Sequence, residues 1–320
     1  MGLGSVGGSG RGRPAGPVHE AHAVAGADGG VPDERRGAVR FGFVGSFGTV
    51  QQVVDLAVEV EEHGWDGFFT WDGVDVDGMD AWDPWAVLAA AAVRTHRVTL
   101  GALVHALPRR RPWVVAKQAV TVDHLSGGRL VLPVGLGVPT DGAVAGVSGE
   151  ARTVRERAER LDDALDVLDR AFTGERFDLE GRHLTVHGLR LRPVPVPRPD
   201  GRTRIPVWVV AAYPSDRSMA RAARWDGVVP QHRGERATAD LEPQDVADVV
   251  AWLRAHRPAD AGPFEVVLHG ALPADRGAAR ERAAALAEAG ATWFVDALWD
   301  PATATPEVLR DRARLGPPVT

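Results

Sequence analysis

Short apolar runs alternate with segments of helical period in the middle of the chain. An apolar, β-branched run at residues 98–104 is followed by a helical stripe at Pro112–Leu125 and by a second apolar run at residues 130–134. Apolar runs of this length are typical of strands buried on both faces, whereas apolar residues spaced by three and four are typical of an amphipathic helix. Strand, helix and strand within about 40 residues predict a βαβ unit, because parallel strands need a crossover between them.

The same alternation continues over the rest of the chain from residue 39. Apolar runs predict strands at residues 39–44, 66–71, 98–104, 130–134, 206–211, 227–230, 264–270 and 292–298. Helical stripes between and after them include residues 53–61, 84–95, 152–172, 215–224, 243–256, 274–289 and 306–314. A total of about eight strands that alternate with helices predicts a closed α/β barrel of the (β/α)8 or TIM type. A doubly wound open sheet is the alternative, which is disfavoured because no G-x-G-x-x-G sequence opens a helix after the first strand.

Three segments depart from this pattern. Residues 1–38 are rich in Gly, Ala and Pro and carry no hydrophobic period, so we predict a disordered extension before a barrel domain at residues 39–320. Residues 174–191 predict a β-hairpin excursion from the barrel. The alternate prolines of residues 193–199 predict an extended linker that returns to the barrel.

Composition narrows the class of protein. The chain has 320 residues, of which 44% are hydrophobic, with a formal net charge of −6 and no cysteine. The negative charge argues against nucleic acid or an anionic membrane as the main partner, and the absence of cysteine excludes disulfides and thiolate chemistry. No apolar run approaches the roughly 20 residues of a membrane span, and the N-terminus lacks the apolar centre of a signal peptide. We therefore expect a cytoplasmic protein with no membrane partner.

The sequence offers little to a metal ion. His19 and His22 flank a glutamate, but their spacing is one residue shorter than the zinc-protease motif requires. A flexible extension also preorganises no ligands. The acidic loop at residues 73–83 lacks the terminal bidentate Glu of a calcium loop. We predict no metal site.

The segment with the βαβ unit also carries a family resemblance. Its sequence, LGALVHALPRRRPWVVAKQAVTVDHLSGGRLVLPVGLG, closely resembles the signature segment of the luciferase-like monooxygenases. The stretches EEHGWDGFFTWD, PVWVVAAYPSDRSMARAARWDGVVP and AEAGATWFVDAL look like further family segments, so the resemblance covers nearly all of residues 40–317. It implies a luciferase-like TIM barrel that acts as an oxidoreductase with a flavin or with a deazaflavin, coenzyme F-420.

In such a barrel the active site lies at the carboxyl ends of the strands, where we expect the cofactor to bind. The expected cofactor-binding residues are Trp71, Gly135, Leu136, Gly137, Ala211, Ala212, Tyr213 and Ser215. Trp71 and Leu136 are placed to form flat apolar walls. Ser215 and the amides around it precede a helix and are suited to a cofactor phosphate, although Ser215 would cap that helix in either case. Relatives often have glycine in place of Ala211 and Ala212, which would leave the backbone more room near a phosphate.

Asp72 and His105 follow the second and third predicted strands and are the predicted catalytic residues. An imidazole titrates near neutrality and can act as acid or base, and the alternative for His105 is a packing role. Many relatives have a histidine where this chain has Gly73, which argues against the activity of the sugar-phosphate dehydrogenases in the family. The arginines at residues 109–111 are expected to be solvated or salt-bridged at a helix start.

These features favour a monooxygenase that uses reduced FMN on an unidentified small organic substrate. The missing histidine at Gly73, together with His105, favours FMN over the deazaflavin coenzyme F-420, which remains the alternative. A flavin reductase would be a partner, and a homodimer is a further expectation. The loss of the family's glycines and histidine leaves open a second class, a non-catalytic barrel that acts as a partner subunit. Substrate identity depends on the loops at residues 73–83 and 138–150.

Overall fold

The computed structural model describes residues 39–237, 239–258 and 261–319. The predicted extension at residues 1–38 lies outside them. The strands are β1 (Arg40–Val44), β2 (Gly67–Thr70), β3 (Thr99–Ala102), β4 (His105–Ala106), β5 (Leu132–Gly135), β6 (Phe177–Glu180), β7 (Thr185–Leu189), β8 (Val207–Tyr213), β9 (Gly227–His232), β10 (Glu265–Gly270) and β11 (Trp293–Asp296). The helices are α1 (Val50–Glu62), α2 (Pro84–Arg94), α3 (Pro112–Leu125), α4 (Gly142–Ala145), α5 (Val154–Phe172), α6 (Asp216–Ala223), α7 (Pro243–His256), α8 (Arg276–Glu288) and α9 (Pro306–Arg314).

Parallel strands form a single barrel. The sheet order is β3-β2-β1-β11-β10-β9-β8-β5-β4, and every pairing in it is parallel. β3 and β4 occupy one strand position, because β3 pairs with β2 while β4 pairs with β5. A parallel bridge between Leu100 and Leu130 joins the two edges. The sheet therefore closes, and the predicted (β/α)8 barrel is confirmed.

The third strand differs from its prediction as one unbroken strand at residues 98–104. β3 ends at Ala102, and the chain resumes pairing at His105 after a cis peptide bond between Leu103 and Val104. Both of those side chains pack in the barrel interior. Successive residues of a regular strand point to opposite faces, so two consecutive inward residues interrupt the strand.

The barrel has an inner and an outer apolar layer. Inside the barrel, Phe69, Trp208 and Trp293 pack with ring centroids 5.5–6.2 Å apart. Between the strands and the helices lies a larger cluster that includes Phe68 and Phe294. The alternation along a strand is regular, since inward Trp293 and Val295 flank outward Phe294. This alternation shows which residues at the end of each strand face the barrel interior.

Two excursions leave the barrel. β6 and β7 pair antiparallel and confirm the predicted hairpin. The loop at residues 138–150 contains the short helix α4, which begins after Asp141. Among the residues that the structure describes, no helix combines the length and apolarity that crossing a membrane would need.

Candidate active site

Inward-facing residues surround the carboxyl end of the barrel. Each lies two positions after a residue of the inner layer, or within that layer, so its side chain faces the barrel axis. They are Ser46, Trp71, Val104, Ala212, Gln231, His269 and Ala297. Most are apolar, and a small number of polar groups stand among them. Such a composition suits a planar organic ligand, because binding sites are mostly apolar with a few directed polar groups.

Trp71 forms one wall of this mouth. Its indole contacts Phe47 and Trp299 with centroids 6.1 and 6.3 Å apart, and its Nε1 donates to the Ser46 carbonyl at 2.7 Å. A Cβ at residue 73 would lie 2.2 Å from the Trp71 ring. This position of Trp71 therefore requires glycine at residue 73.

The two predicted cofactor segments are neighbours in the barrel. β5 pairs with β8, with Val134 opposite Val209, so the segment 135–137 runs beside residues 210–212. A Cβ at Gly135 would lie 2.9 Å from Val104 and 3.1 Å from Val210. Leu136, Gly137 and Ala212 are half-buried, whereas Ala211 is buried on the helix side. The structure thus brings these predicted residues together.

The loop before α6 differs in detail from a simple helix cap. Ser215 occupies the N-cap position, but its hydroxyl accepts no hydrogen bond from the helix. The Ser218 hydroxyl instead accepts from the Ala212 amide at 3.0 Å. The Asp216 carboxylate of the first turn accepts from the Trp252 indole at 2.9 Å. Half-buried Tyr213 completes the loop, and the phosphate-binding role of Ser215 stays a prediction.

Arg157 was not singled out from the sequence. It is 3% exposed, and its Nη1 donates to the carbonyls of Gly137 at 3.0 Å and Leu136 at 3.5 Å. Its Nε has no hydrogen-bond partner, and no described carboxylate forms an ion pair with it. Burial lowers the pKa of Arg157. The signal was a charged residue four positions before Leu161 on the apolar stripe of α5.

A buried, unpaired guanidinium is costly. The effective penalty for burying an ion is several kcal/mol unless an opposite charge compensates it. Arg157 contacts the end of β5, beside the end of β8, where the cofactor segments meet. An anionic group of a ligand at this place would supply the compensation.

Asp72 is held by two arginines. Its Oδ1 lies 2.7 Å from Arg109 Nη2 and 2.6 Å from Arg110 Nη2, and its Oδ2 accepts from the Ala106 amide at 3.0 Å. Burial acts to raise the pKa of Asp72, but the hydrogen bond from Arg110 and the positive charges outweigh it and hold the pKa well below its usual range. The expected salt-bridged role of these two arginines is confirmed. Catalysis by Asp72 stays a prediction.

His105 lies on the helix side of the barrel wall. Its ring is fully buried and stacks on Trp85 with centroids 4.4 Å apart and an interplanar angle of 13°. Neither ring nitrogen has a hydrogen-bond partner. Burial lowers the pKa of His105 to about 4, so the ring is neutral at pH 7. This geometry matches the packing alternative, and catalysis by His105 stays a prediction.

In the part of the chain that the structure describes, no group of three or more His, Cys, Asp or Glu residues could hold a metal ion. His19 and His22 fall outside that part.

The chain matches curated proteins over about half of its length or less. It is 30% identical over 176 residues to the F-420-dependent glucose-6-phosphate dehydrogenase of Nocardia farcinica, an alignment that covers 51% of this chain and 48% of that protein. It is 38% identical over 122 residues to the 4-hydroxyprotoasukamycin monooxygenase of Streptomyces nodosus subsp. asukaensis, covering 35% of this chain and 32% of that protein. The chain thus spans about half the length of the curated relatives it matches first.

A solved structure extends the likeness to the whole barrel. The F-420-dependent tetrahydromethanopterin reductase of Methanopyrus kandleri superposes with a TM-score of 0.68 at 15% identity, covering 87% of this chain and 98% of that one. At this identity the likeness shows the fold. The sequence profile described as luciferase-like monooxygenase matches residues 30–315. The chain therefore belongs to the luciferase-like monooxygenase family.

Proposed function

We propose that the protein is an oxidoreductase that holds a flavin or deazaflavin at the carboxyl end of its barrel, with coenzyme F-420 as the first candidate. The observation that carries this proposal is Arg157, a buried cation without a carboxylate partner among the described residues. Both cofactors carry a phosphate, whose negative charge would compensate the positive charge of Arg157. Guanidinium groups bind phosphate with strong, directional hydrogen bonds.

The surrounding residues fit the rest of such a cofactor. Trp71 and Val210 offer apolar walls to a planar ring, and they exclude water from it. The Ser46 hydroxyl is buried without a hydrogen-bond partner, so it is available to a ring heteroatom. The Ser215 hydroxyl lies at the start of α6. Polar groups at a helix N-terminus favour an anion.

Coenzyme F-420 is placed first because the relatives that align with about half of this chain are F-420-dependent. FMN is the second candidate, because the relative with 38% identity is a monooxygenase. Coenzyme F-420 would exchange a hydride with the substrate, and the barrel would position both and exclude water. Glucose 6-phosphate is not proposed as the substrate of this chain. The histidine expected for that activity would stand at residue 73, where Trp71 fills the space that its side chain would need.

The phosphate contact provides the test. Fluorescence titrations of the full chain would compare coenzyme F-420 with 8-hydroxy-5-deazariboflavin, which lacks the phosphate and the groups attached through it, and FMN with riboflavin, which differs from it by the phosphate alone. In the Arg157→Met variant we expect the phosphate-bearing member of each bound pair to lose about 10- to 100-fold in affinity, since charge-assisted hydrogen bonds contribute about 1.5–3 kcal/mol. The phosphate-free member should keep its affinity.

Arg155→Met is the matched control. Arg155 lies on the same helix, is 77% exposed and pairs with Glu159 at 3.0 Å. Its loss removes the same charge but should leave every affinity unchanged. If the wild-type protein bound neither cofactor, the proposed function would be overturned. The alternative of a non-catalytic barrel that acts as a partner subunit would then be favoured.

A further inference from the structure

The exposed tryptophans of the described chain both lie at the mouth of the barrel. Trp82 is 40% exposed in the loop at residues 73–83, and Trp299, three residues after the end of β11, is 38% exposed. The other tryptophans that the structure describes are buried or half-buried. Large apolar side chains that meet water at the mouth of a barrel are typical of a binding surface for an apolar ligand.

These two indoles belong to an aromatic rim, which consists of Phe47, Trp71, Trp82 and Trp299. Phe47 and Trp299 pack edge-on against Trp71, with ring centroids 6.1 and 6.3 Å away. Trp71 and Trp82 each donate their indole N–H to a carbonyl of the loop after β1, at 2.7 and 2.8 Å. These bonds satisfy the polar edges of both indoles and fix the rings in place. What the rim offers to a ligand is therefore the flat apolar ring face.

The rim stands opposite the phosphate contact of the proposed cofactor. Its members follow β1, β2 and β11, which are neighbours in the sheet. In the closed order of eight strand positions, β1 lies four positions from β8. Arg157 contacts the end of β5, beside β8. A cofactor held by its phosphate at Arg157 thus leaves the exposed part of the rim to a second molecule, the substrate.

Charges on this side of the mouth are already engaged. Asp72 is paired with two arginines, and Asp83 caps α2 through its carboxylate. Asp300 accepts from a backbone amide at 3.0 Å and from a threonine hydroxyl at 3.1 Å. The inward-facing polar residues include Gln231 and His269, and burial lowers the pKa of His269, which keeps its ring neutral at pH 7. A charged group of a substrate would lose hydration here without gaining an opposite charge from these inward-facing residues.

We propose that the substrate is an uncharged aromatic compound that lies against the aromatic rim, with Trp82 and Trp299 as the residues that select it. The inference rests on the proposed function and holds with either cofactor. Flat rings gain more from an indole face than saturated rings of the same size do, because aromatic pairs add stacking or edge-to-face contacts to the burial of apolar area. The fixed positions of the indoles mean that little side-chain freedom is lost on binding.

The first test compares probes that differ in one property. Calorimetric titrations use the full chain saturated with the cofactor that it binds, coenzyme F-420 or FMN. The probes are 2-naphthol, which is uncharged at pH 7, the 2-naphthoate anion, the 2-naphthylmethylammonium cation and the saturated decahydro-2-naphthol. We expect 2-naphthol to bind at least about 10-fold more tightly than each of the others.

Equal binding of either ion would contradict the uncharged class, and equal binding of the saturated alcohol would contradict the aromatic class. Protein that binds its cofactor but not 2-naphthol would overturn this inference and leave the proposed function intact. Protein that binds neither cofactor would overturn the proposed function instead.

The second test assigns the contact to the rim. Trp299→Leu should weaken 2-naphthol binding by about 10-fold, whereas Trp299→Phe, which keeps a flat ring, should retain most of the affinity. Trp113→Leu is the matched control, because Trp113 is half-buried on α3, outside the barrel. The cofactor affinity should stay within about 3-fold in all three variants, since the phosphate contact lies across the mouth. Unchanged 2-naphthol affinity in Trp299→Leu would contradict the inference.

A third measurement needs no loss of affinity. In protein labelled with ¹⁵N, the indole N–H signals are assigned from Trp82→Phe, Trp299→Phe and Trp113→Phe. We expect the signals of Trp82 and Trp299 to shift when 2-naphthol is added to the cofactor-bound protein, while the Trp113 signal stays in place. Binding of 2-naphthol with unmoved Trp82 and Trp299 signals would place the ligand elsewhere and overturn the inference.

Discussion

At the residue scale, the barrel separates histidines that look alike in sequence. His105 and His269 both lie at strand ends, yet one faces the helices and the other faces the barrel axis. The direction of His105 depends on the interruption after β3, where two consecutive residues face inward. The sequence alone predicts an unbroken strand there, so it could not assign the face of His105. Burial then decides which ring remains able to meet a ligand.

The first prediction concerns the burial of His105. Its folded-state pKa of about 4 lies below the ordinary value of 6.5. The unfolded chain therefore binds more protons between these values, and wild-type stability falls as the pH drops from about 6.5 to 4, by about 3 kcal/mol from this group. His105→Phe keeps a planar ring beside Trp85 and removes this dependence. Denaturant unfolding at pH 7 and pH 4.5 measures it.

At pH 7, His105→Phe should leave the free energy of unfolding unchanged or higher, because it removes two buried nitrogens without partners. An equal loss of stability on acidification in wild type and variant would contradict the packing role. A loss of turnover of about 10²-fold with intact folding would instead support the predicted catalytic role.

The second prediction concerns Asp72. Asp72→Asn leaves Arg109 and Arg110 with reduced compensation in a buried site, so we expect a loss of about 3–5 kcal/mol in the free energy of unfolding. The lowered pKa of Asp72 means that its ion pairs persist above pH 4 and weaken only below it. Asp166→Asn is the control, since its pair with Arg224 is exposed and should contribute less than about 1 kcal/mol. Equal effects of the two substitutions would refute this account.

At the scale of elements, the hydrophobic period predicted all eight strand positions of the barrel and the helices between them, but not the interruption between β3 and β4. It could not predict the contacts that organise the loops, because these join residues distant in sequence. Asp141 accepts from the amides of Val74 and Asp75, each at 3.1 Å, and forms an ion pair with Arg109 at 2.6 Å. The loop at residues 138–150 is thereby fixed to the loop at residues 73–83.

The third prediction follows from this anchor. Asp141→Asn removes the charge that holds both loops, so their amides should exchange hydrogen faster by about 10-fold or more, while the barrel strands keep their protection. Hydrogen exchange followed by mass spectrometry measures both regions. Asp80→Asn, in the loop at residues 73–83 but without an ion pair among the described residues, should match the wild type. Unchanged exchange in Asp141→Asn would show that other contacts hold the loops.

At the scale of the whole molecule, strand count and alternation were sufficient for the barrel. The carboxyl-end rule also predicted that the segments at residues 135–137 and 211–215 lie near each other, and β5 and β8, which precede them, are paired. The sequence did not identify Arg157 as a site residue, because what marks it is the lack of a carboxylate partner in the folded chain. Its helix carries many acidic residues, and the sequence does not reveal that they all face elsewhere. A buried charge without a partner becomes visible only in three dimensions.

Isothermal titration calorimetry of the full chain with coenzyme F-420 measures the proposed binding and its stoichiometry. We expect one site per chain with a Kd below about 10 μM, equivalent to about −7 kcal/mol, and a weakening of about 10- to 100-fold in Arg157→Met but not in Arg155→Met. FMN in the same cell tests the second candidate. Absence of binding by either cofactor at about 1 mM would contradict the account.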